Sequence, residues 1–304
     1  MIEQLFGARM SPLKIGDFDV HRVIETEGPF APVSMLLPGV DMARIEAQAH
    51  WLRPQFVSAD NLAVMSFHSH VLRTGRHNVL IDACVGNDKE RPLRASWHRQ
   101  QFGYMHALAQ AGLQPQDIDF VCCTHLHADH VGWNTQLKDG RWVPTFPKAR
   151  YVFGKTEYTH WEAAHRQAVA EGAAVPNHGS FADSVLPVMD AGQAELVNED
   201  FEFEEGVALQ HAPGHTPGNC CLHVHSRGQR GIFSGDILHT PVQLVDTRLN
   251  SRFCHDPAQA VATRQRLVET VADTSTLLMT GHFPHSTGGR VVSTDSGLAW
   301  LGVS

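Results

Sequence analysis

The sequence is poor in the features that define several protein classes. It has only 6 cysteines in 304 residues, at Cys84, Cys122, Cys123, Cys220, Cys221 and Cys254, with no C-x-x-C spacing. That excludes the dense disulfide framework of small secreted domains. The adjacent pairs fall in apolar runs, where reduced thiols packed in strands are expected. No window approaches the roughly 18 apolar residues that a membrane span needs. The opening MIEQLFGARMSPLKIGDF lacks a cationic start, a long apolar stretch and a small-residue cleavage site, so no leader and a soluble, cytoplasmic chain are expected. Basic residues are few, 24 Lys and Arg against 32 Asp and Glu, for a formal charge of -8. Without a basic face, nucleic acid is not a partner. Low-complexity tracts, tandem repeats and a G-x-S-x-G elbow are also missing. What is abundant is histidine, with 21 copies, and its placement has to show whether it serves metal or proton chemistry.

Alternating or short apolar runs predict strands at 17–26, 63–73, 78–82, 120–124, 150–153, 194–197, 207–211, 218–225, 231–234 and 276–280. Helices are predicted at 97–112, 155–170 and 257–271. Strands interleaved with helices in both halves, together with hairpins, imply an α/β protein whose sheets are covered by outer helices. One domain over 1–304 is expected, with pseudo-halves at about 1–180 and 181–304. The Pro-, Ala- and Met-rich segment 29–61 reads as an arm or lid edge, and the Gly-, Pro- and Asn-rich stretch through Gly179 as a mobile loop or internal boundary.

The decisive stretch is FVCCTHLHADHVGW, in which an apolar strand stops at Thr124 and delivers His125, His127, Asp129 and His130 within six positions. In extended chain, side chains at i and i+2 point the same way, so His125 and His127 can converge on one ion. A turn into helix near Ala128 would carry Asp129 and His130 to a second. Three more candidates sit beside glycine at strand ends: His215 in HAPGHTPGN, Asp236 in FSGDILH and His282 in MTGHFPH. Imidazole with carboxylate suits zinc, and also iron, manganese or cobalt. Any one of the later three alone would pass as a turn residue.

The order and spacing of the whole set resemble the metallo-β-lactamase superfamily, whose H-x-H-x-D-H, then His, Asp and His are matched over roughly residues 63–283. The resemblance implies a four-layer αβ/βα sandwich, two mixed sheets packed face to face with helices outside. It also implies two divalent metal ions. His125, His127 and His215 would hold the first, Asp129, His130 and His282 the second, and Asp236 would bridge them. Asp82, which ends the run NVLID, matches a family strand-end Asp that supports a ligand histidine.

Two divalent ions, two carboxylates and a bridging hydroxide leave about +1 in a partly dry pocket, an electrophilic centre suited to hydrolysis. Asp129 and Asp236 are therefore the candidate catalytic carboxylates, with Asp129 as proton shuttle to the leaving oxygen. Trp133, Phe146 and Phe283, with Met35, Leu36 and Leu37 on the early arm, suggest a neutral, fairly apolar small molecule. FHSHVLRTGRHNVLIDACVGNDKERP, WNTQLKDGRWVPTFPKARYVF and TGHFPHSTGGRV resemble the branch of quorum-quenching lactonases and methyl parathion hydrolase-like enzymes. That implies a lactonase or esterase; a phosphotriesterase, a β-lactamase and a one-iron persulfide dioxygenase are the alternatives. Some acyl-homoserine lactonases use a pocket tyrosine, and none of Tyr104, Tyr151 and Tyr158 is assignable to it. The apolar arm would suit pairing of two copies as a homodimer.

Overall fold

Short apolar runs whose successive side chains face two different interiors build this molecule. In the strand Phe120–Cys122 and the residue after it, Val121 and Cys123 pack among helices, whereas Cys122 packs between sheets. The computed structural model describes residues 12–198 and 200–304. The first 11 residues, where the leader motif was sought, lie outside them.

One seven-stranded sheet comprises β1 (Leu13–Ile15), β2 (Phe18–Pro32), β3 (Leu62–Arg73), β4 (Asn78–Ile81), β5 (Phe120–Cys122), β8 (Arg150–Gly154) and β9 (Ala194–Val197), in that order. The other comprises β10 (Glu202–Glu204), β11 (Val207–His211), β12 (Cys220–Ser226), β13 (Gln229–Phe233), β14 (Leu277–Met279), β15 (Gly288–Thr294) and β16 (Gly297–Val303). A small hairpin, β6 (Thr135–Lys138) and β7 (Arg141–Pro144), stands apart. Both large sheets are mixed: β4, β5, β8 and β9 run parallel, as do β13 and β14, and the remaining pairs are antiparallel.

Ile15, Leu72, Ile81 and Val152 of the first sheet meet Leu222, Phe233 and Met279 of the second in a shared core. The outer face of the first sheet is covered through Tyr104, Leu108, Phe181 and Val188, and that of the second through Leu267, Val268 and Val271. These are the four layers expected. Helix 257–271 shows why one of them forms. Asp256 caps it by accepting from the Gln259 N–H at 3.0 Å, and Pro257 occupies its first turn. Ala260, Arg264, Leu267, Val268 and Val271 then fall on one buried face.

Several boundaries differ from expectation, each for a physical reason. β2 continues to Pro32 because register shifts at 24–26 and 29–31 absorb its Pro and Gly. The helix expected over 97–112 is confined to Tyr104–Gln110. Before it, Arg99 has φ of 50° and the chain folds back on itself, the Arg99 N–H bonding to Lys89 O at 2.8 Å. The segment 29–61, expected as an arm or lid edge, is packed: Val33, Leu36, Leu37, Ile45, Leu52 and Val57 enter the core from short helices and the turns beside them. Among the described residues, Met35 is the only large apolar side chain of that segment that is exposed. The sheets change over between Val197 and Glu202, not near 180. Among the described residues no helix is long and apolar enough to cross a membrane.

Histidines on β3 tie the layers together. His70 Nε2 lies 2.9 Å from Thr287 O, and its ring packs edge-on against Phe233 of the second sheet at 5.3 Å. Burial pushes its pKa down to about 3, so folded His70 stays neutral. Below the ordinary imidazole range the unfolded chain takes up a proton that the folded one refuses, and stability falls as the pH drops from 6.5 toward 3. This residue should cost about 2 kcal/mol by pH 5. His70→Gln should therefore show a smaller drop in urea midpoint between pH 7 and pH 5 than the parent; an equal drop would refute the assignment.

Candidate metal centre

The parallel strand pairs aim their carboxyl ends at one place. Asp82 follows β4, His125 follows β5, Asp236 follows β13 and His282 follows β14, while His215 sits in the turn between β11 and β12. Crevices at such strand ends are where open α/β sheets bind ligands. The extended stretch before Ala128 turns into the short helix Ala128–Val131, which carries Asp129 and His130 across to the second cluster.

The seven sequence-predicted residues come together as two groups: His125, His127, His215 and Asp236 in one, and Asp129, His130 and His282 in the other. In the first, His215 Nε2 lies 2.8 Å from His127 Nδ1 and 3.2 Å from His125 Nε2. Asp236 Oδ2 lies 3.4 Å from His215 Nε2 and 3.9 Å from His125 Nε2. In the second, His130 Nε2 and His282 Nε2 are 3.3 Å apart. Asp129 reaches them at 4.0 and 3.7 Å. Asp236 Oδ1 faces this group, 3.3 Å from His130 Nε2 and 3.2 Å from His282 Nε2. The two oxygens of one carboxylate are thus divided between the groups.

These spacings suit divalent metal ions. Ligand atoms held tetrahedrally at about 2.0–2.1 Å from one ion stand ~3.4 Å from one another. Three imidazole nitrogens as close as those of the first group cannot all be satisfied by mutual hydrogen bonds. Asp236 Oδ1 is buried without a hydrogen-bond donor. Cations answer both problems.

Partners behind the ligands fix which nitrogen faces inward. His130 Nδ1–H donates to Asp82 Oδ2 at 2.9 Å, and His282 Nδ1–H donates to Ser66 O at 3.0 Å. Thr124 Oγ1 stands 3.1 Å from His125 Nδ1 and donates its proton to Asp82. Asp82 has φ of 57°, a conformation uncommon for any residue but glycine, and it also accepts from the Thr124 N–H. Asp82 thus stands directly behind His130 and Thr124.

The electrostatics of the two groups differ. Burial and neighbouring imidazoles hold His125 and His215 well below the ordinary range, and burial pushes His127 down to about 4. Their lone pairs are free for a ligand bond. Burial also opposes charge on His130 and His282, yet Asp236 and the other carboxylates around them outweigh it and raise both. The second group favours positive charge.

Sequence reasoning missed two residues here. His239 is 2% exposed, lies 3.3 Å from Asp236 Oδ2 through Nε2, and has no hydrogen bond at either ring nitrogen. Its place three residues after Asp236 in FSGDILH was the available signal. Glu157, 1% exposed, accepts from the Leu126 N–H at 2.9 Å, the Gly218 N–H at 3.0 Å and Trp161 Nε1–H at 2.7 Å. It joins the His125 and His215 segments, and no spacing announced it. Asn177, in the stretch expected to be mobile, accepts from the Ala128 N–H and donates to Leu126 O, at 2.9 and 2.6 Å. That stretch ends by bracing the ligand segment.

The aromatic residues nominated for substrate contact sit in core positions. Phe146 is 0% exposed and packs near Tyr151; Trp133 stacks on Tyr104 at 5.2 Å and donates to Glu25; Phe283 packs against Trp300 at 4.8 Å. Large rings filled the interior instead of the pocket wall. The rings that touch ligands are Phe67, 5.0 Å from His282, and Trp161, 5.4 Å from His127. All three tyrosines are buried with partners of their own: Tyr104 donates to Ser69, Tyr151 to Asn134 O and Tyr158 to Glu162.

A profile of the metallo-beta-lactamase superfamily matches residues 68–282, and the chain belongs to that superfamily. Among individual proteins, it is similar to the N-acyl homoserine lactonase AiiA of Bacillus thuringiensis subsp. kurstaki, 25% identical over 179 residues, 59% of this chain and 61% of the relative. The lactonase of Bacillus cereus is 23% identical over 176 residues, 58% and 60% of the two chains. The match thus spans about three fifths of these curated relatives. The hydrolase AbOPH of the beta-lactamase superfamily has TM-score 0.77 at 20% identity, covering 97% of each chain. AidC, a dizinc quorum-quenching lactonase in complex with a product, N-hexanoyl-L-homoserine, has TM-score 0.73 at 19% identity, covering 96% of this chain and 97% of its own. At such identities these structures establish the fold.

Gly281 gives the centre a direct test. A Cβ at this position would stand 2.6 Å from Asp236 Oδ1 and 3.2 Å from His130 Cε1. Gly281→Ala should displace the carboxylate and weaken metal binding at the second group by tenfold or more, measured by chelator competition, while the circular dichroism spectrum is kept. Unchanged affinity would contradict the geometry.

Proposed function

We propose that this chain is a two-metal hydrolase that cleaves the carbonyl–oxygen bond of a lactone or ester. The observation that carries the reading is the division of Asp236 between two ligand groups, 3.2 and 3.3 Å from the nitrogens of one and 3.4 Å from the nearer nitrogen of the other. A scaffold for a single ion has no use for that arrangement, which disfavours the one-iron dioxygenase alternative. Divalent ions, zinc being the best fit to imidazole and carboxylate, would supply hydroxide near neutral pH and polarise the carbonyl oxygen.

The chain's own residues do the rest. Asp82, Ser66 and Thr124 keep the ligand rings in one tautomer and orientation, so the centre needs no rearrangement as charge develops. His239 is neutral, since burial pushes it down to about 4, and its unused ring N–H can donate to an oxygen of bound substrate. It offers the donor that a pocket tyrosine supplies elsewhere. The Asp129 side chain is the most exposed of the carboxylates in the centre, at 15%. At that margin it can pass a proton to the departing alkoxide. No side-chain nucleophile is required.

Phe30, partly exposed and backed by Phe67 and Trp97 at 5.1 and 6.3 Å, offers an apolar surface for an acyl chain. The lactonase relatives support a lactone over other esters, and the three-fifths span of their match keeps the broader ester class in the reading. A parallel screen of lactones, aryl esters, phosphotriesters and β-lactams on zinc-loaded protein should show turnover of the first two classes. His282→Ala should lower that turnover at least 100-fold. Preferred hydrolysis of a phosphotriester or a β-lactam would replace this reading, and full activity of His282→Ala would defeat it.

A further inference from the structure

A fully buried guanidinium outside the ligand set stands behind the turn that follows Asp236. Arg264, on the buried face of helix 257–271, is charged at neutral pH although burial lowers its pKa to about 10. It forms no ion pair with a carboxylate among the described residues. Its donors go instead to four neutral oxygens of one loop: Nε–H to Ile237 O at 2.9 Å, Nη1 to Thr247 O at 2.9 Å and to Leu249 O at 2.7 Å, and Nη2 to Asn250 Oδ1 at 3.0 Å. Burying a cation without a counter-ion is costly, and apolar side chains would fill the same volume without that cost. What the guanidinium adds is a rigid fork that gathers oxygens from separate points of the chain.

The gathered loop begins at Asp236 and returns to the ligands where the His255 N–H bonds to His215 O at 2.8 Å. Gln243, also fully buried, extends the network toward its start. Gln243 Nε2–H donates to Leu249 O at 2.9 Å, the oxygen that Arg264 also holds, and Gln243 Oε1 accepts from the His239 N–H at 2.8 Å. Ile237 O and the His239 N–H flank Leu238, whose side chain is buried in the core. The backbone is therefore pinned on both sides of Leu238, immediately before the His239 ring. That ring has no hydrogen bond of its own. Its aim toward Asp236 Oδ2, 3.3 Å away, comes from this backbone and from packing on the His215 ring at 4.8 Å. Helix 257–271 holds the His215 turn as well: the Asp256 N–H bonds to Gly214 O at 2.9 Å, and Thr263 Oγ1–H donates to Pro213 O at 2.7 Å. His239 and His215 are thus set by one rigid element.

We propose that Arg264 and Gln243 are positioning residues that aim the His239 ring at the metal centre and act on the reaction only through it. The proposal rests on the donor role given to His239 above. A donor to a developing oxyanion acts at full strength only when it is already in place, and a displacement of about 1 Å costs up to ~100-fold in rate.

Gln243→Met removes both Gln243 bonds and keeps the buried volume; Arg264→Lys keeps the charge and loses the fork. Each should lower kcat about tenfold for the lactone or ester that the parent turns over, with KM and metal content little changed. A loss of correctly folded protein would lower kcat by the same factor in every background. In His239→Ala, by contrast, Gln243→Met should cost less than about twofold more, because the group it positions is gone. Parental kcat in Gln243→Met, parental kcat in Arg264→Lys, or an equal loss with and without His239 overturns the proposal. Arg264→Lys is read only with its circular dichroism spectrum kept; otherwise Gln243→Met decides. A second arm needs no substrate. In zinc-loaded protein with isotope-labelled histidine, the NMR signal of the His239 ring, assigned by its absence from His239→Ala, should shift further in Gln243→Met than those of His127 and His130. A His239 signal that moves no further than theirs overturns the proposal. Should no ester or lactone be turned over, the hydrolase reading fails and this arm alone decides.

Discussion

A carboxylate with a 4% exposed side chain, set among five imidazoles at 3.2–3.9 Å, is the constraint on which the rest of this structure depends. Taking such a charge out of water costs several kcal/mol unless opposite charge compensates it. Asp236 faces a ligand group with each oxygen, and His130 and His282, which favour positive charge, stand beside Oδ1. Gly281 leaves room for Oδ1, and Gly235, with φ of 50°, packs its Cα where a side chain would strike Thr124. The parallel pairs β4–β5 and β13–β14 bring ligands from both sheets to the same end of the sandwich. Ser66 on β3 closes the arrangement: its N–H bonds to His282 O, and its carbonyl accepts from the His282 ring, both at 3.0 Å.

Residues with unusual chemistry at fixed offsets were legible before any coordinates. The run from His125 to His130, and the Gly-flanked His215, Asp236 and His282, stood out because metal chemistry restricts residue type as well as spacing, and the family resemblance divided them into two groups. Alternating apolar strands were legible for the same reason, since a slip of one residue exposes a whole face. What escaped was the supporting shell. Glu157 is one acidic residue on an ordinary helix, and only the fold brings the Leu126 and Gly218 N–H groups to it. Trp133, Phe146 and Phe283 were expected at the pocket wall, and each is buried in the interior; sequence proximity to a ligand does not decide which way a ring faces. The segment 29–61 read as an arm or lid edge from its Pro, Ala and Met content, yet Val33, Leu36, Leu37, Ile45, Leu52 and Val57 enter the core.

The centre and its surroundings would divide the work of the proposed reaction. The ligands and the residues behind them would set how a bond is cut, by fixing where a nucleophile and a carbonyl can meet. His239 and Asp129 would stand at the margin where charge moves. The apolar side chains around the centre would set whose bond is cut. The two sets share few residues, so specificity could change here while the chemistry stays.

The central claim is that Asp236 gives one oxygen to each of two metal ions. Anomalous diffraction at the zinc edge from crystals of zinc-loaded protein tests it most directly. Two peaks are predicted, one bonded to Asp236 Oδ2 with His125, His127 and His215, the other to Asp236 Oδ1 with Asp129, His130 and His282. A single peak, or two peaks with Asp236 bound to neither or to only one, would contradict the account.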